Sequence, residues 1–198
     1  NMMSKAQSIG GVGFTAVWWS EWYHQLIGDA AQDDSKARLL KNAGFGTGKA
    51  LKINVMAQML QGSPGRVVYH ESHDECGNSQ NSARNIEVAV NYMLFDNTRG
   101  WGEARCKVVT GITLLSAGTP MFFMGEEVCA SKPYRHDDFL DNREDYEALK
   151  NGTGAAMFRY YRDIIRMRRE NFALHSPSIA ILKIHNAQRI LAWHRWYA

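Results

Sequence analysis

The chain has 198 residues, of which 45% are hydrophobic, and its 23 Lys and Arg against 20 Asp and Glu give a formal net charge of +3. A chain of this length can bury one sizeable core. The near balance of charge, without a long block of one sign, argues against a nucleic-acid partner. No apolar run approaches the roughly 20 residues that a membrane span needs, so no membrane partner is expected.

The three cysteines predict free thiols. Cys76, Cys106 and Cys129 are odd in number and widely spaced, and no Cys-x-x-Cys pair suggests a zinc or redox site. The first residues also lack the basic region, apolar core and cleavage site of a signal peptide. We therefore expect a reducing compartment and a cytoplasmic location.

Short apolar runs alternate with longer amphipathic runs through the first 174 residues. Gly10–Trp18, Arg66–Tyr69 and Met121–Glu127 are predicted to be strands, and the second is expected to open into a polar loop ending at Asp74. The predicted helices are Glu21–Ile27, Ala31–Asn42, Lys49–Leu60, Ser82–Met93, Glu103–Ser116 and Gly154–Asn171.

The last part of the chain has a different pattern. Residues Ile179–Ile184 and Arg189–Trp196 predict two strands, and Asn186–Gln188 is short enough to join them as a hairpin. Alternating strands and helices followed by a hairpin indicate an α/β fold whose parallel sheet gives way to an antiparallel one. The domain boundary is expected between Asn171 and Ser178, and three parallel strands cannot close a barrel.

The segment from Tyr69 to Asn78 is the strongest candidate for chemistry. A carboxylate such as Asp74, at the end of a buried strand, lies beside walls of low dielectric and can face developing positive charge. The adjacent imidazole of His73 can hydrogen-bond a substrate hydroxyl. This pair suits an oxocarbenium-like transition state, although a His-Asp pair taken alone is more often a loop or capping feature.

A metal site is the alternative for the same segment, because His70, Glu71, His73 and Asp74 carry imidazole and carboxylate ligands. On an extended strand, however, His70 and Ser72 share one face while Glu71 and His73 share the other. Ligands on opposite faces do not converge, so no metal is predicted.

Other charged groups also have structural interpretations. Glu126 and Glu127 follow the third predicted strand and suit either a helix N-terminus or a pocket. The arginines of the last long helix are expected to form a solvated face, since apolar residues interleave with them at helical spacing. They are Arg159, Arg162, Arg166, Arg168 and Arg169.

Several segments together resemble the alpha-amylase superfamily. Ser72-His73-Asp74-Glu75 at a strand end is similar to the fourth conserved region of that superfamily, in the form found in 1,4-alpha-glucan branching enzymes. Pro120–Glu127 resembles the eighth barrel strand, and Phe158–Asn171 resembles the helix that follows it. Gly13-Phe14, together with Trp18, Trp22 and His24, resembles the sixth barrel strand.

The resemblance implies a fold and a place in it. Residues 1–174 would form strands six to eight of a TIM (β/α)₈ barrel, and residues 175–198 would begin a C-terminal antiparallel β domain. In that family the nucleophilic Asp and the acid/base Glu lie on strands four and five, which have no match in this chain. We therefore expect a C-terminal fragment that does not cleave glucan by itself.

The resemblance also assigns roles. Asp74 would be the third carboxylate, which stabilises the transition state, and His73 would contact the sugar next to the cleaved bond. Trp18 and Glu75 are further candidates for substrate binding. The implied activity is retaining transfer of alpha-1,4-glucan chains to a 6-hydroxyl by a branching enzyme of glycogen or starch metabolism, without metal or cofactor.

Three rival functions stay open. Within the family, the rival is an alpha-glucan hydrolase of the amylase or trehalose-releasing type. Outside it, a His-Asp metal phosphohydrolase would use His70, His73 and Asp74, and a non-catalytic glucan-binding fragment is the third. Branching requires an acceptor groove, and the aromatic candidates for its walls are Trp18, Trp19, Trp22, Tyr23 and Tyr134–Phe139.

Overall fold

The computed structural model describes residues 13–28, 35–44, 50–79, 82–142 and 144–197. Its helices and strands are β1 (Val17–Trp18), α1 (Ser20–Leu26), α2 (Leu39–Gly44), α3 (Ile53–Gln61), β2 (Arg66–Val68), α4 (Asn85–Ala89), α5 (Asp96–Leu114), β3 (Thr119–Pro120), α6 (Phe139–Asn142), α7 (Tyr146–Asn151), α8 (Ala155–Glu170), β4 (Ile179–His185) and β5 (Ile190–Arg195).

Three short parallel strands form the centre of the fold, in the order β1-β2-β3. Val17 pairs with Arg66, and Val67 pairs with Thr119. Beyond the ladder, the N–H of Trp19 donates to the carbonyl of Val67 at 3.1 Å. Parallel strands end at the same edge of a sheet, so the residues that follow β1, β2 and β3 meet there. The described residues contain this open sheet and no closed barrel.

The helices cover the sheet with a continuous apolar core. Each of α1, α3, α5 and α8 contributes an apolar stripe at helical spacing. In α8 the buried positions are Met157, Tyr161 and Ile164, which confirms the helix predicted from Gly154 to Asn171. None of the helices in the described ranges is long and apolar enough to cross a membrane.

One arginine of α8 departs from the predicted solvated face. The Arg168 guanidinium donates to the carbonyls of Leu114 at 2.6 Å, Ser116 at 2.9 Å and Gly118 at 2.9 Å. Burial lowers the pKa of Arg168 to about 10, and the nearby Arg195 adds to this decrease. The prediction was wrong for this residue because the end of α5 leaves carbonyls without helical partners, and Arg168 satisfies them.

The prediction of a third strand at Met121–Glu127 was also wrong. The strand is only Thr119–Pro120, and Glu126–Val128 forms a 3₁₀ turn after Gly125, whose φ is 95°. A side chain at Gly125 would come within 2.9 Å of Ala130 Cβ. The apolar run before this glycine looked like a buried strand, but Phe122 is 39% exposed.

The boundaries of several helices differ from prediction: α2 begins at Leu39, where Ala31–Asn42 was predicted, and α3 begins at Ile53, where Lys49–Leu60 was predicted. The region predicted from Ser82 to Met93 is helical only over Asn85–Ala89. The helix predicted from Glu103 begins already at Asp96, because Thr98 Oγ1 accepts from the N–H of Phe95 at 2.8 Å and caps its first turn. The parts of predicted elements at Gly10–Val12 and Ala31–Asp34 lie outside the described residues.

The C-terminal hairpin is confirmed. Strands β4 and β5 pair antiparallel, with Ile179 opposite Arg195. The turn is fixed to the start of α3, where the N–H of Asn54 donates to Asn186 Oδ1 at 3.0 Å. At the other end, Arg195 Nη1 donates to the carbonyl of Leu115 at 2.8 Å. The hairpin is therefore bound to the helices at both ends.

A buried polar layer lies directly after β2. His70 Nε2 is 2.5 Å from Glu126 Oε2, and the hydroxyl of Tyr161 donates to the same oxygen at 2.9 Å. On the other side, Glu71 Oε2 is 3.3 Å from Arg84 Nη1. All five side chains are buried, so their polar groups depend on one another for hydrogen bonds and charge compensation.

The two partners in the Glu71–Arg84 pair have raised pKa values for different reasons. Burial raises the pKa of Glu71 to about 7 despite the adjacent guanidinium, and Glu126 adds to the increase. The carboxylates around Arg84 raise the pKa of its guanidinium, against the effect of its own burial. Arg84 is further fixed by donating to the carbonyl of Met124 at 3.0 Å.

Replacing Arg84 by Met should lower the free energy of unfolding by about 3–5 kcal/mol at pH 8, because it leaves the Glu71 carboxylate buried without a cation. The loss should be smaller at pH 5, below the pKa of Glu71, where protonation removes the unpaired charge. Urea unfolding at the two pH values measures both. Arg162→Met, which breaks an exposed pair with Asp163, is the control and should cost less than about 1 kcal/mol. An equal loss at both pH values would contradict this account.

Candidate functional site

The loop after β2 passes from the core to the surface within a few residues. Tyr69, His70, Glu71 and Ser72 are buried, whereas the side chains of His73 and Asp74 are 49% and 57% exposed. The change occurs because the strand ends at Val68, earlier than predicted. Asp74 therefore lies at the carboxyl edge of the central strand, directly after a buried segment.

Hydrogen bonds within the loop hold the backbone of Asp74. Its N–H donates to Ser72 Oγ at 3.2 Å. Its carbonyl accepts from the N–H of Ser79 at 2.7 Å and from the N–H of Asn78 at 3.2 Å. The carboxylate is thereby presented to solvent from a closed turn.

Two imidazoles face the Asp74 carboxylate. His73 Nε2 lies 3.6 Å from Asp74 Oδ1, and His136 Nε2 lies 3.7 Å from the same atom. The two histidine rings are 5.8 Å apart. His73 was identified from the sequence, but His136, which follows β3, was missed.

Contacts between two loops bring His136 to this position. The N–H of His136 donates to Asn78 Oδ1 at 2.9 Å, and the N–H of Tyr134 donates to the carbonyl of Cys76 at 2.9 Å. The available signal was that Tyr134–Phe139 follows the third strand at the predicted edge of the sheet. The sequence could not show that the imidazole within that range turns towards Asp74.

Trp18, at the end of β1, forms an aromatic wall beside the carboxylate. It is 50% exposed, and its ring centroid lies 5.2 Å from that of Tyr69 and 6.1 Å from that of His73. Trp22 and Tyr23 are fully buried. They are core residues, so the prediction that they line an acceptor groove was wrong.

Glu75 accepts hydrogen bonds from residues of its own loop. It accepts from the hydroxyl of Tyr69 at 3.3 Å and from Ser72 Oγ. Burial raises the pKa of Tyr69, and the charge of Glu75 adds to this effect, so the phenol stays a donor. These contacts direct Glu75 towards the protein, and its role in substrate binding remains a prediction.

The glutamates after β3 are local structural residues. Glu126 accepts from the N–H of Phe123 at 2.7 Å, besides its contacts with His70 and Tyr161. Glu127 accepts from the N–H of Gly125 at 2.8 Å. Both lie in the first turn of a 3₁₀ helix, and Glu126 points into the core instead of the site.

The side chains proposed as metal ligands do not converge. His70 faces Glu126, whereas His73 faces Asp74. The predicted alternation along a strand was wrong, because these residues lie beyond the end of β2 and both His70 and Glu71 are buried. Within the described ranges, no three His, Cys, Asp or Glu side chains are placed to bind a metal.

These groups together suit a hydroxyl-rich ligand that develops positive charge. The Asp74 carboxylate supplies negative charge, the imidazoles supply hydrogen bonds, and Trp18 offers an aromatic face for stacking. They lie at the end of β1 and in the segments that follow β2 and β3, at the edge of a parallel sheet where barrel enzymes carry their active sites.

Comparison with known proteins shows where this fold occurs. The structure is similar to part of a pullulanase from Bacillus acidopullulyticus, with a TM-score of 0.55 and 16% identity over 87% of this chain and 22% of the pullulanase. A second match is to a Salmonella typhimurium protein whose crystal structure was described as that of a candidate alpha amylase. That match has a TM-score of 0.49 and 19% identity, and it covers 87% of this chain and 37% of the other.

No family model and no curated protein sequence matches the chain. The chain spans about a fifth of the length of the pullulanase. The likeness to the pullulanase therefore shows a common fold over most of this chain.

Gly77→Ala should separate His136 from Asp74. Gly77 has a φ of 140°, and a Cβ there would come within 2.7 Å of Pro133 Cβ and 2.8 Å of the Tyr134 carbonyl oxygen. The loop after β3 must move away, while the buried layer below should keep the free energy of unfolding within about 1–2 kcal/mol of the wild type. NMR shifts of the His73 and His136 rings measure the separation. Gly100→Ala, where a Cβ meets no atom within 4 Å, is the control, and unchanged His136 shifts in Gly77→Ala would contradict the contact.

Proposed function

We propose that this chain forms part of the glucan-binding active site of an alpha-amylase superfamily enzyme, and that its three parallel strands are strands six to eight of the barrel. The observation that carries the proposal is the position of Asp74, at the carboxyl edge of β2 between the imidazoles of His73 and His136. The pullulanase-like fold supports it.

In this proposal Asp74 is the carboxylate that stabilises the transition state. Departure of the leaving oxygen puts positive charge on the anomeric carbon and ring oxygen of the sugar. A fixed carboxylate stabilises that charge more than it stabilises the neutral substrate, and only such a difference accelerates the reaction. The nucleophile and the acid/base would be supplied by strands four and five.

The other side chains would position the sugar. His73 and His136 would hydrogen-bond sugar hydroxyls from two sides of Asp74, and Trp18 would stack on a sugar face. Because Trp18 also packs on Tyr69, its ring is held in place before the ligand arrives. Such prior ordering lowers the entropic cost of binding.

The specific activity that we propose is 1,4-alpha-glucan branching, with hydrolysis as the second candidate. After the first half-reaction the glycosyl group is held on the enzyme, and the outcome depends on which hydroxyl attacks it. Water gives hydrolysis, whereas a sugar 6-hydroxyl gives a branch if an acceptor groove orients it. Aromatic rings near Asp74 favour a groove: Trp18 is exposed, and the half-buried Tyr134, whose ring centroid lies 5.6 Å from that of His136, packs on Phe139 with centroids 4.7 Å apart.

Asp74→Asn should lower kcat on glucan by roughly 10² or more in the complete protein, since it removes the charge and keeps the shape. His73→Ala should be milder, because it removes a hydrogen bond and leaves the carboxylate. Steady-state kinetics on amylose measures both. Asp163→Asn, on an exposed face of α8, is the control, and a near-normal kcat for Asp74→Asn would return Asp74 to a structural role in its loop.

Branching and hydrolysis give different products from amylose. If the protein branches, iodine staining should fall while few reducing ends appear, and alpha-1,6 linkages should become visible by proton NMR. The reason is that transfer makes one bond for each bond that it breaks. Reducing ends that rise in step with the loss of staining, without new alpha-1,6 signals, would assign the protein to the hydrolases.

A further inference from the structure

A cavity of about 400 Å³, separate from the site around Asp74, lies among the helices and the C-terminal hairpin. Its walls come from α2, α3, α5, α8 and β5. Among the described residues that line it, none belongs to the site around Asp74. Its volume is within the range of about 300–1,000 Å³ that is usual for small-molecule sites.

The lining of this cavity is unsuited to a sugar. Its walls are mostly aliphatic and aromatic side chains, among them Leu40, Met56, Ile112, Leu191 and Trp193. A carbohydrate or a nucleotide base would bring polar groups that need hydrogen-bond partners, and leaving them unpaired opposes binding. An aliphatic chain needs no such partners, so the apolar lining favours an aliphatic ligand over a sugar.

A glycine within α5 shapes one wall. Tyr160 of α8 lies against α5, and its hydroxyl donates to the carbonyl of Lys107 at 2.8 Å. A Cβ at Gly111 would come within 2.8 Å of that hydroxyl oxygen. A helix interior disfavours glycine, but here glycine is what allows Tyr160 to line the cavity.

The charged residues that line the cavity are all cationic among the described residues: Arg105, Lys107 and Arg189. Arg105 Nη1 donates to the carbonyl of Ala89 at 2.7 Å, which uses one of the five N–H donors of the guanidinium. Two cations from α5 and one from the hairpin thus line the apolar cavity. Cations around an apolar cavity complement a ligand with an anionic head.

Arg189 has a backbone conformation that its side chain does not favour. Its φ is 58°, in the left-handed region where Gly or Asn is usual in a hairpin turn. Glycine would relieve this strain but would remove a cation from the cavity.

We propose that this cavity binds an aliphatic carboxylate, with the hydrocarbon chain between α3, α5 and β5 and the carboxylate at the cationic rim that Lys107 and Arg189 contribute. This site is independent of the proposed glucan chemistry. It would bind a fatty-acid-like amphiphile and exclude sugars.

Isothermal titration of the protein with dodecanoate, below its micellar concentration, tests the proposal. We expect one site per chain. Dodecanol, which has the same chain without the charge, should bind at least about tenfold more weakly, since it lacks the charge-assisted hydrogen bonds. Dodecyltrimethylammonium should not bind at this site.

Three variants locate the site. Lys107→Gln and Arg189→Gly should each weaken dodecanoate binding by about tenfold. Arg189→Gly should also raise or keep the melting temperature, because glycine suits its φ. Ala43→Leu, which puts bulk into the cavity, should abolish binding of the chain. Lys183→Gln, which removes an exposed cation from β4, is the matched control and should bind as the wild type.

Four outcomes would overturn the proposal. They are equal affinity for dodecanol, no binding of dodecanoate, equal weakening in Lys183→Gln, and binding of an acidic amphipathic peptide in place of the carboxylate. A wild-type affinity in Arg189→Gly with a retained melting temperature would exclude the cationic rim as the recognition element.

Discussion

The pairing of two buried polar residues directly after β2 determines where the neighbouring segments at this edge of the sheet lie. His70 reaches Glu126 beside β3, and Glu71 reaches Arg84 at the start of α4. An unpaired charge in this layer would cost several kcal/mol. The chain must therefore bring both neighbouring segments to β2, and the loop that carries His73 and Asp74 is built on that fixed layer.

Burial separates the core residues of this short segment from the residues of the proposed site. His70 and Glu71 are almost inaccessible, while His73 and Asp74, a few residues later, are about half exposed. Similar side chains thus have opposite uses. A carboxylate paired with a cation in the core fixes the positions of the segments around it, and a carboxylate on a surface loop remains accessible to a ligand.

Local patterns in the sequence predicted the elements that local signals define. Helix α8 appears where predicted because its apolar residues recur at helical spacing, and the hairpin β4–β5 because two β-prone segments flank a short turn. The strand at Met121–Glu127 failed because Gly125 turns the chain. His136 and Arg168 were missed because their partners are distant in sequence, and no local pattern encodes contacts between loops.

The measurement that tests the account most directly is a map of where a maltooligosaccharide binds. Titration of the protein with maltohexaose, followed by NMR, should shift the resonances of Trp18, His73 and His136. Asp74→Asn should retain those shifts, since it keeps the shape of the site. Shifts confined to other parts of the chain, or none at millimolar sugar, would contradict a glucan site at the carboxyl edge of β2.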